Sequence, residues 1–312
     1  MLLRNLTLKQ CRVFAAVARG GSMAAAAQAL NVSPPAITLQ MQLLQEQVGL
    51  PLLERLPSGM RLTEAGQDLL AAIQRVEVTL EEAGARLAAL AGTERGTVSV
   101  GVISTAKYFA PRALAAFART RPGVELRISV GNRAEIVAGL QQYDLDIAVM
   151  GRPPEEPIAE AHVIGDHPHV VVAPPEHPLA GCAEISPAKL EGATFLVREP
   201  GSGTRSLMER FFADAGIAPK IGMQIGSNET IKQAVIAGLG IAFISAHTVE
   251  AEVGTGRLVV LKVDGLPIVR QWYAVSLRQR QLIPAAAALR DFFITDGRGF
   301  LPLLPPPGPP SA

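Results

Sequence analysis

The sequence predicts an α/β chain made of two unlike parts, and three observations carry that prediction. Apolar residues recur at helical spacing between residues 6 and 49, and a heptad pattern then runs unbroken from 64 to 91. Beyond Gly96, short β-branched runs alternate with helix-like segments as far as residue 295, the pattern of helices packed on a sheet.

The elements follow in order. In residues 6–19, Leu6, Cys11, Phe14, Ala15, Val17 and Ala18 fall on one side of a helix that Gly20-Gly21 ends. Ser22 is placed to cap a second, alanine-rich helix, and a turn, Asn31-Val32-Ser33, leads to a third. Ser33 is the expected cap there, with Pro34 and Pro35 in the first turn, where a missing N–H costs little. A short helix, a tight turn and a longer helix form a helix-turn-helix, whose second helix lies in the major groove of double-stranded DNA, with Ser22, Ser33, Pro34 and Pro35 among the residues expected at the DNA. Its core stripe is Ile37, Met41, Leu44 and Val48; Thr38, Gln40, Gln42 and Gln45 lie on other faces, suited to base edges or to the solvated surface of an ordinary three-helix bundle.

Residues 50–63 read as two short strands around Pro57-Ser58-Gly59, a wing whose Arg55 and Arg61 are placed to meet phosphate. Charge is distributed accordingly: residues 1–63 sum to +4 and residues 64–91 to −3, although the whole chain carries only +1. From the Thr63-Glu64 cap, Leu69, Ile73, Val76, Leu80, Ala83, Leu87 and Leu90 form a heptad seam. Such a seam serves dimerisation, which supplies two DNA half-sites, or packs on its own domain. Gly92 to Gly96 has the composition of a hinge.

Composition excludes several classes. With 312 residues, 48% of them hydrophobic, the chain has material for real cores and is not disordered. No run approaches a membrane span, and Arg4, Lys9, Arg12 and Arg19 interrupt the apolar stretches at the N-terminus, so a cytoplasmic protein with no membrane partner is expected. Cys11 and Cys182 lack CxxC or histidine neighbours, so no metal and no cofactor are expected.

In the second part, strands are expected at 98–103, 124–130 and 145–150, with helices near 111–119, 134–142 and 285–294, in a mainly parallel sheet whose ligands sit beyond the strand ends. Those ends carry Ser104, Thr105 and Lys107, then Asn132 and Arg133, then Arg152. Later come Gly201, Ser202, Gly203, Thr204 and Arg205, opening one helix, and Asn228-Glu229, opening another. Helix N-termini with hydroxyls and cations hold anions, so a small anionic metabolite, phosphorylated, is the expected effector; simple capping is the alternative for any one loop. His169, after His167-Pro168, is the one histidine included in the site.

No GxGxxG, Walker A, GxSxG or HExxH pattern is present, so no catalytic residue is named and no enzyme is expected. A solute-binding transport protein is the rival that would suit the second part; the winged helix attached to it argues otherwise.

The chain up to about residue 295 resembles the LysR-type transcriptional regulators, most specifically at Leu62-Thr63-Glu64-Ala65-Gly66. Within that family it is similar to the branch regulating the Calvin–Benson–Bassham (RuBisCO) operon, through ISTAKYFAPRALAAF (103–117), GNRAEI (131–136), MGRPP (150–154), HPHVVVAPPEHPL (167–179), FLVREPGSGTR (195–205) and GSNETIKQAVIAGLGI (226–241). The resemblance implies a winged helix-turn-helix over 1–63, a linker and dimerisation helix over 64–91, and a two-lobed effector domain over 92–295 like type 2 periplasmic binding proteins. Lobe I would comprise 97–165 and 268–295, lobe II 166–267, and the proline-rich 296–312 a disordered tail. It further implies an activator of carbon-fixation genes, or a regulator of another metabolic operon, working as a homodimer or homotetramer with RNA polymerase and answering to ribulose bisphosphate, phosphoenolpyruvate or NADPH. The family's usual Gln-Pro-Ala-Val-Ser-Arg-Gln is replaced by Pro34-Pro35-Ala36-Ile37-Thr38-Leu39-Gln40, so the operator does not carry over by analogy.

Overall fold

The computed structural model describes residues 3, 5–57, 59–90 and 96–303. The chain divides within one long helix into two compact units, 1–84 and 85–312.

The first unit begins with α1 (Leu8–Gly20), capped by Thr7, whose hydroxyl accepts from the Gln10 N–H while the Gln10 side chain returns to the Thr7 N–H. Gly21, in the left-handed region at φ 63°, closes it. Ser22 caps α2 (Met23–Ala29) by accepting from Ala25 N at 3.1 Å, and Asn31, at φ 54°, turns the chain into α3 (Pro34–Val48). Ser33 occupies the cap position of α3, but its hydroxyl makes no capping bond. Prolines remove the first two N–H groups, and the third, on Ala36, is taken by the Ser33 carbonyl. The wing is β1 (Leu53–Leu56) paired antiparallel with β2 (Gly59–Leu62), after which Thr63 accepts from Gly66 N to start α4 (Glu64–Leu90).

One apolar core, containing Phe14, Val17, Ile37, Met41, Leu44 and Leu52, unites the helices and the wing. Leu69 and Ile73 belong to that core, at 7% and 2% exposure. They are therefore not free to meet a second chain, which corrects the heptad assignment at these two positions. Val76, Leu80 and Leu87, by contrast, stand exposed on the same helical face, Leu87 at 68%. The Leu90 side chain and the hinge at 91–95 lie outside the described residues.

In the second unit the order is β3 (Gly96–Ile103), α5 (Ala110–Thr120), β4 (Val124–Gly131), α6 (Arg133–Gln141), β5 (Ile147–Met150), the long β6 (Ala159–Ala173), β7 (Thr194–Arg198), α7 (Gly203–Asp214), β8 (Lys220–Ile225), α8 (Asn228–Ile236), β9 (Ala242–Ser245), α9 (Glu250–Gly254), β10 (Val259–Leu261), β11 (Ile268–Leu277) and α10 (Pro284–Thr295). The main sheet runs β10-β6-β11-β5-β3-β4, with β9 also on β6. It is mixed rather than mainly parallel: β3 pairs in parallel with β4 and β5, but β6 and β11 pair antiparallel with each other and with all their other neighbours. β7 and β8 form a separate parallel pair.

Two lobes result, each with its own apolar interior. Val98, Val100, Phe109, Phe117, Trp272 and Phe293 centre one; Phe195, Val197, Met208, Phe212, Phe243 and Ile241 centre the other. β6 and β11 cross between them, and their register slips beside Trp272. The expectation of a structureless 296–312 is corrected for its first half. Residues Gly297–Phe300 form a 3-10 turn, Phe300 and Leu301 pack on the first lobe's core, and Pro302 is buried. Apolar side chains decide this against the proline content, and residues 304–312 lie outside the described residues.

Candidate functional site

Two surfaces follow from this fold. On the first unit, the outward face of α3 is exposed at Pro35, Thr38 and Gln42, whereas Gln40 is only half exposed and Gln45 accepts from Leu52 N at 3.1 Å. Thr38 donates its hydroxyl to the Pro34 carbonyl at 3.1 Å. In the wing, Arg55 is exposed, while Arg61 pairs across the hairpin with Glu54 at 2.7 Å, an exposed pair that a phosphate can displace at little cost.

In the second unit a cleft opens between the lobes at the strand ends. Of the predicted residues, Ser104, Thr105, Asn132, Arg133, Arg152, His169, Ser202, Gly203 and Thr204 line it. Two helix N-termini from opposite lobes meet there. Asn132 and Glu135 cap α6 reciprocally, but Ser202 makes no capping bond on α7, whose first-turn N–H groups have no helical partner.

Five predicted residues lie elsewhere. Lys107 sits over the Tyr108 ring, 5.3 Å from its centroid. Glu229 accepts from the Tyr108 hydroxyl and pairs with Lys232 at 3.1 Å. Gly201 is an exposed turn residue at φ 85°, outside the lining. Arg205 donates to Glu209, Gln224 and the Arg198 carbonyl, and so braces the end of β7 rather than facing the cleft. Asn228, 1% exposed, stands behind the lining, bonded to Arg198 and to the Ser104 carbonyl. For the four with side chains the correction has one physical cause: a polar side chain beyond a strand end is consumed by neighbouring groups, within its own lobe for Lys107 and Arg205 and across the lobes for Glu229 and Asn228.

Six lining residues are not among the predicted ones: Ile103, Met150, Gly151, His167, Arg198 and Arg270. Arg198 is buried; its guanidinium is held by Glu199 at 2.8 Å and reaches across to the Ser104 hydroxyl of the other lobe at 2.9 Å. Arg152 pairs with Glu155 at 2.6 Å. Arg133 and Arg270 have no carboxylate partner among the described residues. Arg133 donates to the Pro153 carbonyl, and its Nε is buried without a partner. Burial, and then the Arg152 charge, lower the pKa of both. Two crowded, partly dehydrated cations thus border one cleft, and an anion relieves both.

The floor is aromatic. His167 stacks on Trp272 with centroids 3.7 Å apart and lies 4.2 Å from His169. Burial, then the neighbouring His169, His247 and Arg270, hold His167 well below the usual histidine range. His169 is pushed down to about 3 by burial and Arg270, and His247 to about 4 by burial. All three are neutral at physiological pH. His167 Nε2 meets the Ser245 hydroxyl at 2.9 Å, while its Nδ1 has no partner. A side chain at Gly151 would strike that nitrogen at 2.7 Å, so only glycine fits there. Among the described residues no group of three His, Cys, Asp or Glu could hold a metal, and no helix is long and apolar enough to cross a membrane.

A winged helix-turn-helix joined by a long helix to a two-lobed domain with an arginine-bordered cleft is the architecture of a ligand-responsive DNA-binding regulator. Comparison with known proteins bears this out. Residues 8–67 match the bacterial regulatory helix-turn-helix protein family model of the lysR family, and residues 91–298 match the LysR substrate binding domain. The chain belongs to the LysR family of transcriptional regulators and is not an enzyme. It is 57% identical to the HTH-type transcriptional regulator CbbR of Xanthobacter flavus over 96% of this chain and 90% of that one. It is 44% identical to the RuBisCO operon transcriptional regulator of Allochromatium vinosum over 94% and 97%. The regulatory domain of Synechocystis PCC6803 CcmR, solved in complex with 2-PG, superposes with a TM-score of 0.62 at 36% identity, covering 64% of this chain and 96% of that one.

Proposed function

We propose that this regulator controls RuBisCO-operon, carbon-fixation genes as an activator, and that a phosphorylated metabolite in the interlobe cleft sets its state. The observation that carries the ligand class is the pair Arg133 and Arg270, cations beside an uncapped helix terminus with no described carboxylate to satisfy them. The bound 2-PG of the CcmR domain supports the same class, and the names of the relatives support the target genes. Ribulose bisphosphate, phosphoenolpyruvate and NADPH all fit that chemistry.

The coupling runs through the lobes. Arg198 already spans them through Ser104, so a ligand between Arg133 of one lobe and the first turn of α7 in the other favours one interlobe geometry, to the extent that it binds that geometry better. The exposed Val76, Leu80 and Leu87 face of α4 supports a homodimer, assembled further into a homotetramer, that delivers this change to paired winged units and to RNA polymerase.

Calorimetry with the three metabolites, on the parent and on Arg133→Gln/Arg270→Gln, tests the ligand site. Binding by the parent and at least a tenfold loss in the variant are expected; equal affinities would refute the assignment. Gel shifts on a RuBisCO promoter fragment at two salt concentrations test the target, and binding no tighter than to unrelated DNA would refute it.

A further inference from the structure

Ile37, Met41, Leu44 and Val48 turn one side of α3 into the unit's core. At 100° per residue, the side directly opposite carries Pro35, Leu39, Gln42 and Glu46. All four are exposed, and Leu39 leaves 54% of its surface in water. A single exposed leucine is ordinary on a protein surface. This one occupies the first half of a helix whose N-terminal residues reach base edges, on a segment with net charge +4.

Its neighbours sharpen the point. Pro35, one turn earlier, has no N–H to offer, and Thr38 has given its hydroxyl hydrogen to the Pro34 carbonyl. The leading end of the helix therefore presents an apolar surface where hydrogen-bonding groups are usual. On the floor of the major groove one feature alone is apolar, the 5-methyl group of thymine. We propose that Leu39 is a specificity-determining residue that packs against a thymine 5-methyl group in each half-site. The proposal rests on the DNA binding common to the family and is independent of the target operon and of the effector.

Replacing thymine by deoxyuridine removes that methyl group and nothing else. The full-length protein is first used to select its preferred duplex from a random pool. Each thymine of the selected site is then replaced by deoxyuridine in turn, and dissociation constants are measured by fluorescence anisotropy at one salt concentration. At one thymine per half-site the parent is expected to bind three- to tenfold more weakly after replacement, whereas Leu39→Ala binds the two duplexes equally. Leu39→Met, which keeps an apolar side chain of similar volume, retains the discrimination. Insensitivity of the parent at every thymine, or a sensitive thymine whose effect is undiminished in Leu39→Ala, overturns the proposal. A failure of promoter-specific or metabolite-linked binding leaves this result intact, since neither enters the assay.

Discussion

Acidification probes the histidine stack between the lobes. His169 and His247 have pKa values of about 3 and about 4 in the folded chain. Trp272 donates its indole N–H to His247 Nδ1 at 3.0 Å, so a proton on that nitrogen must break the bond. The unfolded chain has no such constraint, and its histidines take up protons near pH 6.5. Folded pKa values below the unfolded one mean that the unfolded state binds more protons in acid. Stability is therefore complete above pH 7 and is lost as pH falls through 6.5, until the folded groups themselves titrate. Between pH 7 and pH 5 each of the two histidines favours unfolding by about 2 kcal/mol, from 1.5 pH units at about 1.4 kcal/mol each. His167 acts in the same direction. Trp272, the single tryptophan, is buried against His167 and reports the transition by fluorescence in urea at both pH values. His247→Asn keeps an acceptor for the indole N–H and removes one titrating ring, so its loss between the two pH values should be smaller by about 2 kcal/mol. A parent equally stable at pH 7 and pH 5, or a variant with the parent's full pH dependence, would refute the reasoning.

Three further outcomes follow from the packing. Ile73→Ala should destabilise the winged unit by about 2 to 5 kcal/mol in thermal denaturation, because Ile73 is core, whereas Leu87→Asp should leave that melt unchanged and shift the protein to monomer in analytical ultracentrifugation. Gly66→Ala, ordinarily favourable inside a helix, should cost at least about 2 kcal/mol, since the new Cβ would clash with the Leu52 carbonyl oxygen; a melting point at or above the parent's would contradict that contact. Arg205→Gln should lower effector affinity less than Arg133→Gln in calorimetry, because Arg205 braces β7 and Arg133 faces the cleft.

Much of the architecture was legible because its signals are local. Thr63 before Glu64, Gly20-Gly21 at the close of α1 and the alternation after Gly96 each mark an element boundary from within a few residues. The site was half legible for the same reason: loops at strand ends announce themselves, which is how Asn132, Arg133, Arg152 and Ser202 to Thr204 were found. Arg270 was not, because its place at the cleft depends on β11 pairing with β6, where it stands opposite His167, more than a hundred residues earlier in the chain. Arg198 stands in plain view within FLVREPGSGTR, yet nothing local to it says that its side chain reaches the other lobe. In the other direction, the heptad of α4 is continuous in sequence but serves two purposes, since Leu69 and Ile73 in its first turns are claimed by the core of the winged unit. Periodicity reports which face is apolar and not what covers it.

The last described residues hold a mechanical consequence. Leu301 is packed into one lobe, while the Leu303 N–H reaches Glu250 Oε1 on α9 of the other at 3.1 Å. Residues 301–303 form a tether over the same joint that β6 and β11 span. Any opening of the cleft has to slacken or unhook it, so clipping the protein after Thr295 would leave the joint looser and the resting geometry less sharply defined.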